Sequence, residues 1–398
     1  MRKSSLTLLA LVLAGLLSGC ATQVPQQQEP EPSVLFHDEL FRPEARPEQA
    51  DAVFALTPEM QAYLEREIAQ HARSKGGRQG LLDALYNKSM LQLEYDAAVT
   101  RNAAEAFGAR RGNCLSLVLM TSAFAKAMNL PVRFNSVYVE DLWSRSGDLY
   151  VLSGHVNLSL GRPMMEHAAG RVFESELLTI DFLPPEQLRG QRSRVIEEHT
   201  VVAMFLNNRA AEELQLGHTD AAYWWARAAV AKDPRFMAAY NTLGVVYRRA
   251  GRAEFAEQVF RNVMAQEPGN AQTLSNLVLV LRDRGRGAEA ELLAAKLRDL
   301  QPDPPFKFYD QGILAMKRGE FQEAKRLFTR EIERSAYYHE FHFWLALANY
   351  GLGEMGEVRK HLALARDNST TVKDRQRYAA KLESIRSSTV RVSDRRPG

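Results

Sequence analysis

The sequence has little cysteine and no marked excess of charge of either sign. Its 398 residues include two cysteines, Cys20 and Cys114, which excludes the disulfide framework that holds many small secreted domains together. The 51 basic residues nearly balance the 48 acidic ones, so net charge does not support binding to a polyanion. At this length, two folded domains are expected.

Recognisable ligand motifs are also missing. The histidines are scattered and form no evident set of metal ligands with cysteine. No glycine-rich phosphate loop is present, because Gly285-Arg286-Gly287 belongs to the turn of a repeat. We therefore expect no metal ion, no cofactor and no nucleic-acid partner.

Long hydrophobic runs are absent as well, and the apolar stretch at the N-terminus is a short one. Leu6–Leu17 is largely apolar, follows Arg2 and Lys3, and is too short to remain as a transmembrane helix. This pattern is typical of an export signal. It ends in the tetrapeptide LSGC at 17–20, which resembles the lipobox of bacterial lipoproteins.

The lipobox resemblance implies that residues 1–19 are removed and that Cys20 becomes the lipidated first residue. An ordinary signal peptide with a chance cysteine is the alternative. Ala21 is not the aspartate that resembles an inner-membrane retention signal, which favours an outer-membrane anchor facing the periplasm. Residues 21–50 are then expected to form a flexible tether, since their first part is rich in Gln, Pro and Glu.

The second cysteine, Cys114, stands at the predicted start of an apolar helix at 115–128. Unpaired backbone N–H groups and the positive end of the helix dipole meet there, so they favour a thiolate and can donate to an oxyanion. If a lipid occupies Cys20, then Cys114 is a lone thiol in an exported protein, where an idle thiol is an oxidation liability. A catalytic nucleophile and a packing residue are the two interpretations.

Three strands are predicted after this helix, at 131–139, 149–160 and 176–182. His155 lies on the polar face of the second strand. Asp181 lies in an apolar run, where an unpaired carboxylate is costly to bury. A histidine beside a thiol can take its proton, and a carboxylate behind the histidine orients and stabilises it. Taken singly, His155 and Asp181 each fit a purely structural role as well as a catalytic one.

Three short stretches, in this order, resemble the transglutaminase-like cysteine-protease superfamily: GNCLS at 112–116, GHV at 154–156 and ID at 180–181. The resemblance covers roughly 52–198. It implies an α+β transglutaminase-like (papain-like) domain at 51–200, in which a helix that carries the nucleophile packs on an antiparallel sheet.

By position, the resemblance implies that Cys114 is the nucleophile, His155 the base and Asp181 the orienting carboxylate. Val156 stands where an aromatic residue often follows the histidine in this superfamily. Asn157 shares the strand face of His155 and is the alternative to Asp181. A degenerate, non-catalytic domain is the alternative to an active triad.

A repeat of 34 residues fills the second half of the chain. Three residue types keep this interval: Gly217, Gly251, Gly285, Gly319 and Gly353; Pro234, Pro268 and Pro302; and Ala222, Ala256, Ala290 and Ala324. The best unit resembles the tetratricopeptide repeat at Tyr240, Leu243, Gly244, Tyr247, Ala256, Phe260 and Pro268. The resemblance implies an all-α tetratricopeptide-repeat solenoid of five helix pairs at 203–372, with a capping helix and tail at 373–398.

The concave face of such a solenoid usually binds an extended peptide or a partner helix. If the phasing follows the family pattern, the groove is lined by Asn207, Asn241, Arg248, Ser275, Arg282, Tyr309, Phe343 and Tyr350. Arg248 and Arg282 are predicted to bind carboxylates. A solvated face without a ligand is the alternative.

The sequence as a whole predicts a lipid-anchored cysteine enzyme of the bacterial cell envelope. It would act by thioester acyl transfer on peptide or side-chain amides, as a peptidase, an amidase or a transamidase. A polar link of about twenty residues, including 186–194, would hold the groove beside the active site, where the repeats recruit a protein substrate or partner. The alternative is an inactive envelope scaffold that binds peptides or proteins through the repeats.

Overall fold

A computed structural model describes residues 32–43, 50–86, 91, 93–96, 99–138, 143–146, 149–152, 155–161, 177–182, 192–336, 338–369 and 371–393. The predicted export signal and Cys20 lie outside these residues. Within the described ranges, no helix is both long enough and apolar enough to cross a membrane.

Helices form the first part of the N-terminal half. They are α1 (Pro58–Tyr63), which continues through a π turn at Leu64–Ile68 into α2 (Ala69–Lys75), then α3 (Gly77–Tyr86) and α4 (Ala103–Ala109). Thr57 caps α1 by accepting a hydrogen bond from the Met60 N–H. Two short strands, β1 (Glu94–Tyr95) and β2 (Arg111–Gly112), pair in parallel. They lead directly into α5 (Cys114–Ala127).

A four-stranded antiparallel sheet packs against α5. Its strands are β3 (Val132–Tyr138), β6 (His155–Leu160), β7 (Leu178–Ile180) and β8 (Arg192–Ile196), in the order β7-β6-β3-β8. A separate pair, β4 (Trp143–Ser146) and β5 (Leu149–Leu152), lies outside this sheet. The prediction of one strand at 149–160 is therefore wrong. The stretch contributes β5 and β6 to two different sheets, and a Ser-Gly pair interrupts it in the sequence.

The predicted link between the two halves is shorter than expected. Residues 192–196, which include part of the predicted polar link, form β8 at the edge of the sheet and pair with β3. Most side chains of β8 are exposed, so the strand lacks the apolar alternation by which strands are recognised. Only Glu197 separates β8 from α6 (Glu198–Leu216), and the first helix of the solenoid begins before residue 203.

The C-terminal half consists, in its described residues, of five helix pairs and a final helix. The pairs are α6 with α7 (Thr219–Lys232), α8 (Met237–Arg249) with α9 (Ala253–Gln266), α10 (Ala271–Asp283) with α11 (Gly287–Leu300), α12 (Lys307–Lys317) with α13 (Phe321–Arg334), and α14 (His339–Gly351) with α15 (Met355–Asp367). The final helix, α16 (Val372–Ser393), packs on α15 and buries Leu382 there. It closes the apolar end of the last pair.

Two features of the repeat explain its fixed residues. The five glycines that are 34 residues apart follow the first helix of each pair with φ between +72° and +83°, a conformation that other residues adopt with strain. In the second pair, a Cβ atom on Gly244 would lie 2.4 Å from the ring of Phe260. The two helices therefore approach too closely for any larger residue there.

The hydrophobic core crosses the boundary between the two halves. One cluster of buried side chains runs from Leu35 to Ala294 and includes the sheet, α5 and the first three helix pairs. The last two pairs have clusters of their own. Seven apolar side chains of α6 are buried in the shared cluster, namely Val201, Val202, Met204, Phe205, Leu206, Ala210 and Leu214. The first solenoid helix is therefore part of the core that supports α5.

Residues 35–42, which we call the strap, lie against the first two repeats rather than forming part of a flexible tether over 21–50. The Tyr247 hydroxyl donates to the Leu35 carbonyl oxygen at 2.7 Å, and the Tyr223 hydroxyl donates to Asp38 at 2.6 Å. The Phe41 ring stacks on Tyr223 with centroids 3.9 Å apart. The strap is fixed because its aromatic and acidic groups find partners on the solenoid.

Candidate active site

Cys114 is the first residue of α5 and directly follows the N-cap, Asn113. The Asn113 side chain accepts hydrogen bonds from the Ser116 backbone N–H at 2.9 Å and from the Ser116 hydroxyl at 2.8 Å. A Cβ atom on Gly112 would lie 2.5 Å from the Ser116 Cβ, so this tight entry requires glycine. The Cys114 thiol is free and partly exposed, at the helix end where N–H groups stabilise negative charge.

His155 is the first residue of β6, and it lies beside Asp181, which directly follows β7. The His155 Nε2 lies 2.7 Å from Asp181 Oδ1, and His155 as a residue is 1% exposed. The antiparallel register, in which Leu158 faces Ile180, brings the residue after β7 level with the polar face of β6. Two residues that are 26 positions apart in the chain are thus hydrogen-bonded.

The environment of His155 favours the imidazolium. Burial alone would lower the pKa of His155, but the hydrogen bond with Asp181 and the nearby charges of Cys114 and Asp181 raise its pKa to about 9. Nε2 is engaged by Asp181. Nδ1 is buried and has no hydrogen-bond partner among the described residues, which leaves this nitrogen for the thiol. The arrangement can hold and transfer a proton between Cys114 and His155.

Asn157 contacts Asp181 instead of taking its place beside the histidine. Its Nδ2 donates to Asp181 Oδ2 at 2.7 Å, and its Oδ1 accepts from Asn135 Nδ2 at 2.9 Å. Asp181 therefore receives one hydrogen bond on each oxygen from β6. Asn135, in the middle of β3, was not identified from the sequence, although a buried amide in a strand centre needs a partner of this kind.

Tyr95 is a second residue that sequence reasoning missed. The pairing of β1 with β2 places Tyr95 opposite Gly112, and its hydroxyl lies near the thiol and the backbone of Cys114, both of which influence its pKa. Burial raises the pKa of Tyr95, as do the nearby Cys114 and Asp181. A neutral phenol thus lies beside the backbone N–H that would face a developing oxyanion.

The predicted groove residues do not form one open surface. Asn241 is 6% exposed and accepts hydrogen bonds from Thr273 and Asn276, whereas Tyr350 is largely exposed. The remaining aromatic members and Asn207 and Ser275 are partly buried. The groove is therefore open at some of its predicted positions and filled at others.

Both groove arginines already have acidic partners within the chain. Arg248 Nε lies 2.7 Å from Asp283, and Arg282 lies 2.7 Å from Glu291. These pairs are partly or largely exposed and therefore contribute little to stability. A partner carboxylate would have to compete with them.

Comparisons with known proteins agree with the geometry of the C-terminal half. Residues 270–300 match the model of the tetratricopeptide repeat. The type IV pilus assembly protein PilF of Pseudomonas aeruginosa is 28% identical over 121 residues, which are 30% of this chain and 48% of that protein. The chain thus spans about half the length of this curated relative. The predicted tetratricopeptide-type solenoid is confirmed.

Solved structures of repeat proteins give a weaker likeness. A thermophilic TPR protein of Thermus thermophilus is 19% identical with a TM-score of 0.29, over 45% of this chain and 98% of the other. Pseudomonas aeruginosa PilF is 18% identical with a TM-score of 0.28, over 50% and 96% of the two chains. At TM-scores this low, the solenoid is defined by its own helix pairs and by the repeat match.

Proposed function

We propose that the protein is a transglutaminase-like cysteine enzyme whose tetratricopeptide repeats recruit a protein substrate. The observation that carries the proposal is the buried His155, which shares one nitrogen with Asp181 and leaves the other for Cys114. A free cysteine at a helix N-terminus and an imidazolium favoured by its surroundings are the features that nucleophilic thiol catalysis needs. The lipid at Cys20 and the location in the bacterial envelope are parts of the same proposal.

The chemistry is acyl transfer. The Cys114 thiolate attacks the carbonyl carbon of a peptide or side-chain amide, and the negative charge moves to the carbonyl oxygen, near the Cys114 N–H. The amide C–N bond then breaks as His155 gives its proton to the leaving nitrogen, which produces an amine and a thioester. Water or a second amine attacks the thioester, His155 takes its proton, and the thiolate is released.

A non-catalytic scaffold is the second candidate, and the comparisons favour it. Tetratricopeptide repeats form a protein-interaction fold, and the curated relative is by name an assembly protein of the type IV pilus. In this candidate the repeats bind protein partners in the envelope, and the N-terminal domain only holds a peptide. Both candidates include protein binding by the solenoid, so they differ in the reactivity of Cys114.

Alkylation kinetics separate the two candidates. The full chain is treated with iodoacetamide at pH 7, and modification of Cys114 is followed by mass spectrometry. We expect alkylation about tenfold faster than for cysteine in an unstructured peptide, which is only a few per cent thiolate at this pH. His155→Ala should slow it towards the peptide rate, while His218→Ala, an exposed histidine of the solenoid, should not. Equal rates in all three proteins would support the scaffold.

A further inference from the structure

The helix that begins with Cys114 is fastened to the first solenoid helix at both ends. At its C-terminal end, Lys126 Nζ lies 2.6 Å from Glu198 at the start of α6. At its N-terminal end, the connection runs through Thr100, a residue of the loop before α4. The Thr100 N–H donates to Glu212 Oε1 at 2.6 Å. Both contacts cross from the N-terminal half to the solenoid.

The Thr100 side chain joins the solenoid to the cap of the nucleophile helix. Its Oγ1 accepts a hydrogen bond from Asn208 Nδ2 of α6 at 3.2 Å and another from Asn113 Nδ2 at 2.8 Å. Thr100 is only 1% exposed, so water cannot readily replace these partners.

This contact fixes the orientation of the Asn113 amide. The amide carries an acceptor and a donor on the same carbon, and a cap works only if the oxygen faces the helix. Thr100 receives the Asn113 NH₂ group and thereby turns Oδ1 towards Ser116. Without the Thr100 oxygen, a rotated amide would present its NH₂ group to the N–H groups of the first turn, and the cap would be lost.

We propose that Thr100, held by Asn208 and Glu212 of α6, is a positioning residue for the Cys114 thiol. This inference rests on the proposed function, since it concerns the reactivity of the same cysteine. Its consequence is that the first repeat helix contributes to the active site as well as to the solenoid. The backbone N–H groups that stabilise the thiolate keep their direction only while α6 holds Thr100.

The test compares four full-length variants with the wild type by the rate of Cys114 alkylation per folded molecule at pH 7 and by Tm. Thr100→Val removes the acceptor with little change of shape, and we expect alkylation to slow about fivefold, the size expected for the loss of one N-cap. Thr100→Ser keeps the hydroxyl and should stay within about twofold of the wild type. Glu212→Ala removes the partner of Thr100 on the solenoid and should also slow alkylation.

Glu198→Gln is the matched control, because it weakens the contact at the other end of α5 without touching the cap. It should leave the alkylation rate unchanged and change Tm only slightly, because this ion pair is partly exposed. If Thr100→Val and Glu212→Ala lower Tm but alkylate at the wild-type rate, Thr100 is only structural and the inference is wrong. If Thr100→Val does not fold, Glu212→Ala alone decides. If Cys114 of the wild type is alkylated no faster than a cysteine in an unstructured peptide, the proposed function is wrong, and the positioning role is wrong with it.

Discussion

Asp181 binds two neighbours on one strand face, since Oδ1 lies 2.7 Å from His155 Nε2 and Oδ2 accepts from Asn157 Nδ2 at 2.7 Å. The carboxylate is thus held by two side chains that stand two residues apart on β6. Its orientation is set before any substrate arrives. This is the condition under which a carboxylate can fix the tautomer of a histidine.

Replacing the carboxylate by an amide should change the protonation of the histidine. In Asp181→Asn we expect the pKa of His155 to fall well below its value of about 9, because burial alone lowers it and the opposing charge is gone. The pKa is measured by NMR titration of the imidazole in the full chain. Asp220→Asn, a change at an acid on the solenoid, is the control. An unaltered His155 titration in Asp181→Asn would show that another group sustains the shift.

Deprotonation of the same histidine, His155, should make the folded protein less stable as the pH rises. Its pKa of about 9 in the folded protein lies above the ordinary histidine value of 6.5. The contribution of protonated His155 to the free energy of unfolding is therefore fully present below about pH 6.5 and disappears as the pH rises through about 9. Its full size is about 3 kcal/mol. Calorimetry between pH 6 and pH 10 should show a larger loss of Tm for the wild type than for His155→Gln. Parallel curves for the two proteins would contradict the assignment.

The strap should stabilise the solenoid. Phe41 is buried against Tyr223, and Phe41→Ala should cost about 3 kcal/mol in the free energy of unfolding. Val34→Ala is the control, since Val34 is 69% exposed. Urea unfolding measures both, and limited proteolysis should cut residues 32–43 faster in Phe41→Ala. Equal stability of the two variants would mean that the strap is only loosely held.

Close helix packing in the repeats predicts a strong effect of one added methyl group. Gly244→Ala places a Cβ atom 2.4 Å from the Phe260 ring and should destabilise the protein by about 2 kcal/mol. Gly287→Ala, at the start of α11, meets no atom within 4 Å and should leave stability unchanged or raise it by up to about 1 kcal/mol. Thermal unfolding of the two variants gives the comparison. Similar Tm values would argue against the close approach.

The anchor is tested separately from the fold. We expect the mature chain to begin at a lipidated Cys20 and to partition into the detergent phase of Triton X-114. Cys20→Ala should stay in the aqueous phase or keep its export signal, as intact mass measurement will show. Aqueous partitioning of both proteins would exclude the lipid and favour an ordinary signal peptide.

The sequence predicted those features that local geometry imposes on residue type. The solenoid is one, because a glycine with positive φ and a small residue at each helix contact must return every 34 residues. The position of Cys114 at a helix start is another, because the apolar run that follows it marks the helix in the sequence. The pairing of His155 with Asp181 still required the strand register, which the sequence pattern does not contain.

Other features escaped prediction because their partners are distant in the chain. The strap contacts tyrosines more than 180 residues away, and Thr100 meets Asn208 and Glu212 more than 100 residues away. Strand β8 was missed for a different reason. An edge strand with exposed arginines has no apolar face, so its backbone pairing with β3 leaves no trace in the hydrophobic pattern.

The strap also determines where a mechanical load enters the molecule. A pull on the chain before residue 35 reaches Tyr223 and Tyr247 first, through the Asp38 and Leu35 hydrogen bonds, and only afterwards the helices near Pro58. The contacts of the strap with the first two repeats thus bear a pulling force before the rest of the N-terminal half does. Motion of whatever holds the N-terminus therefore acts first on the first two repeats, before it acts on the helices that begin at Pro58.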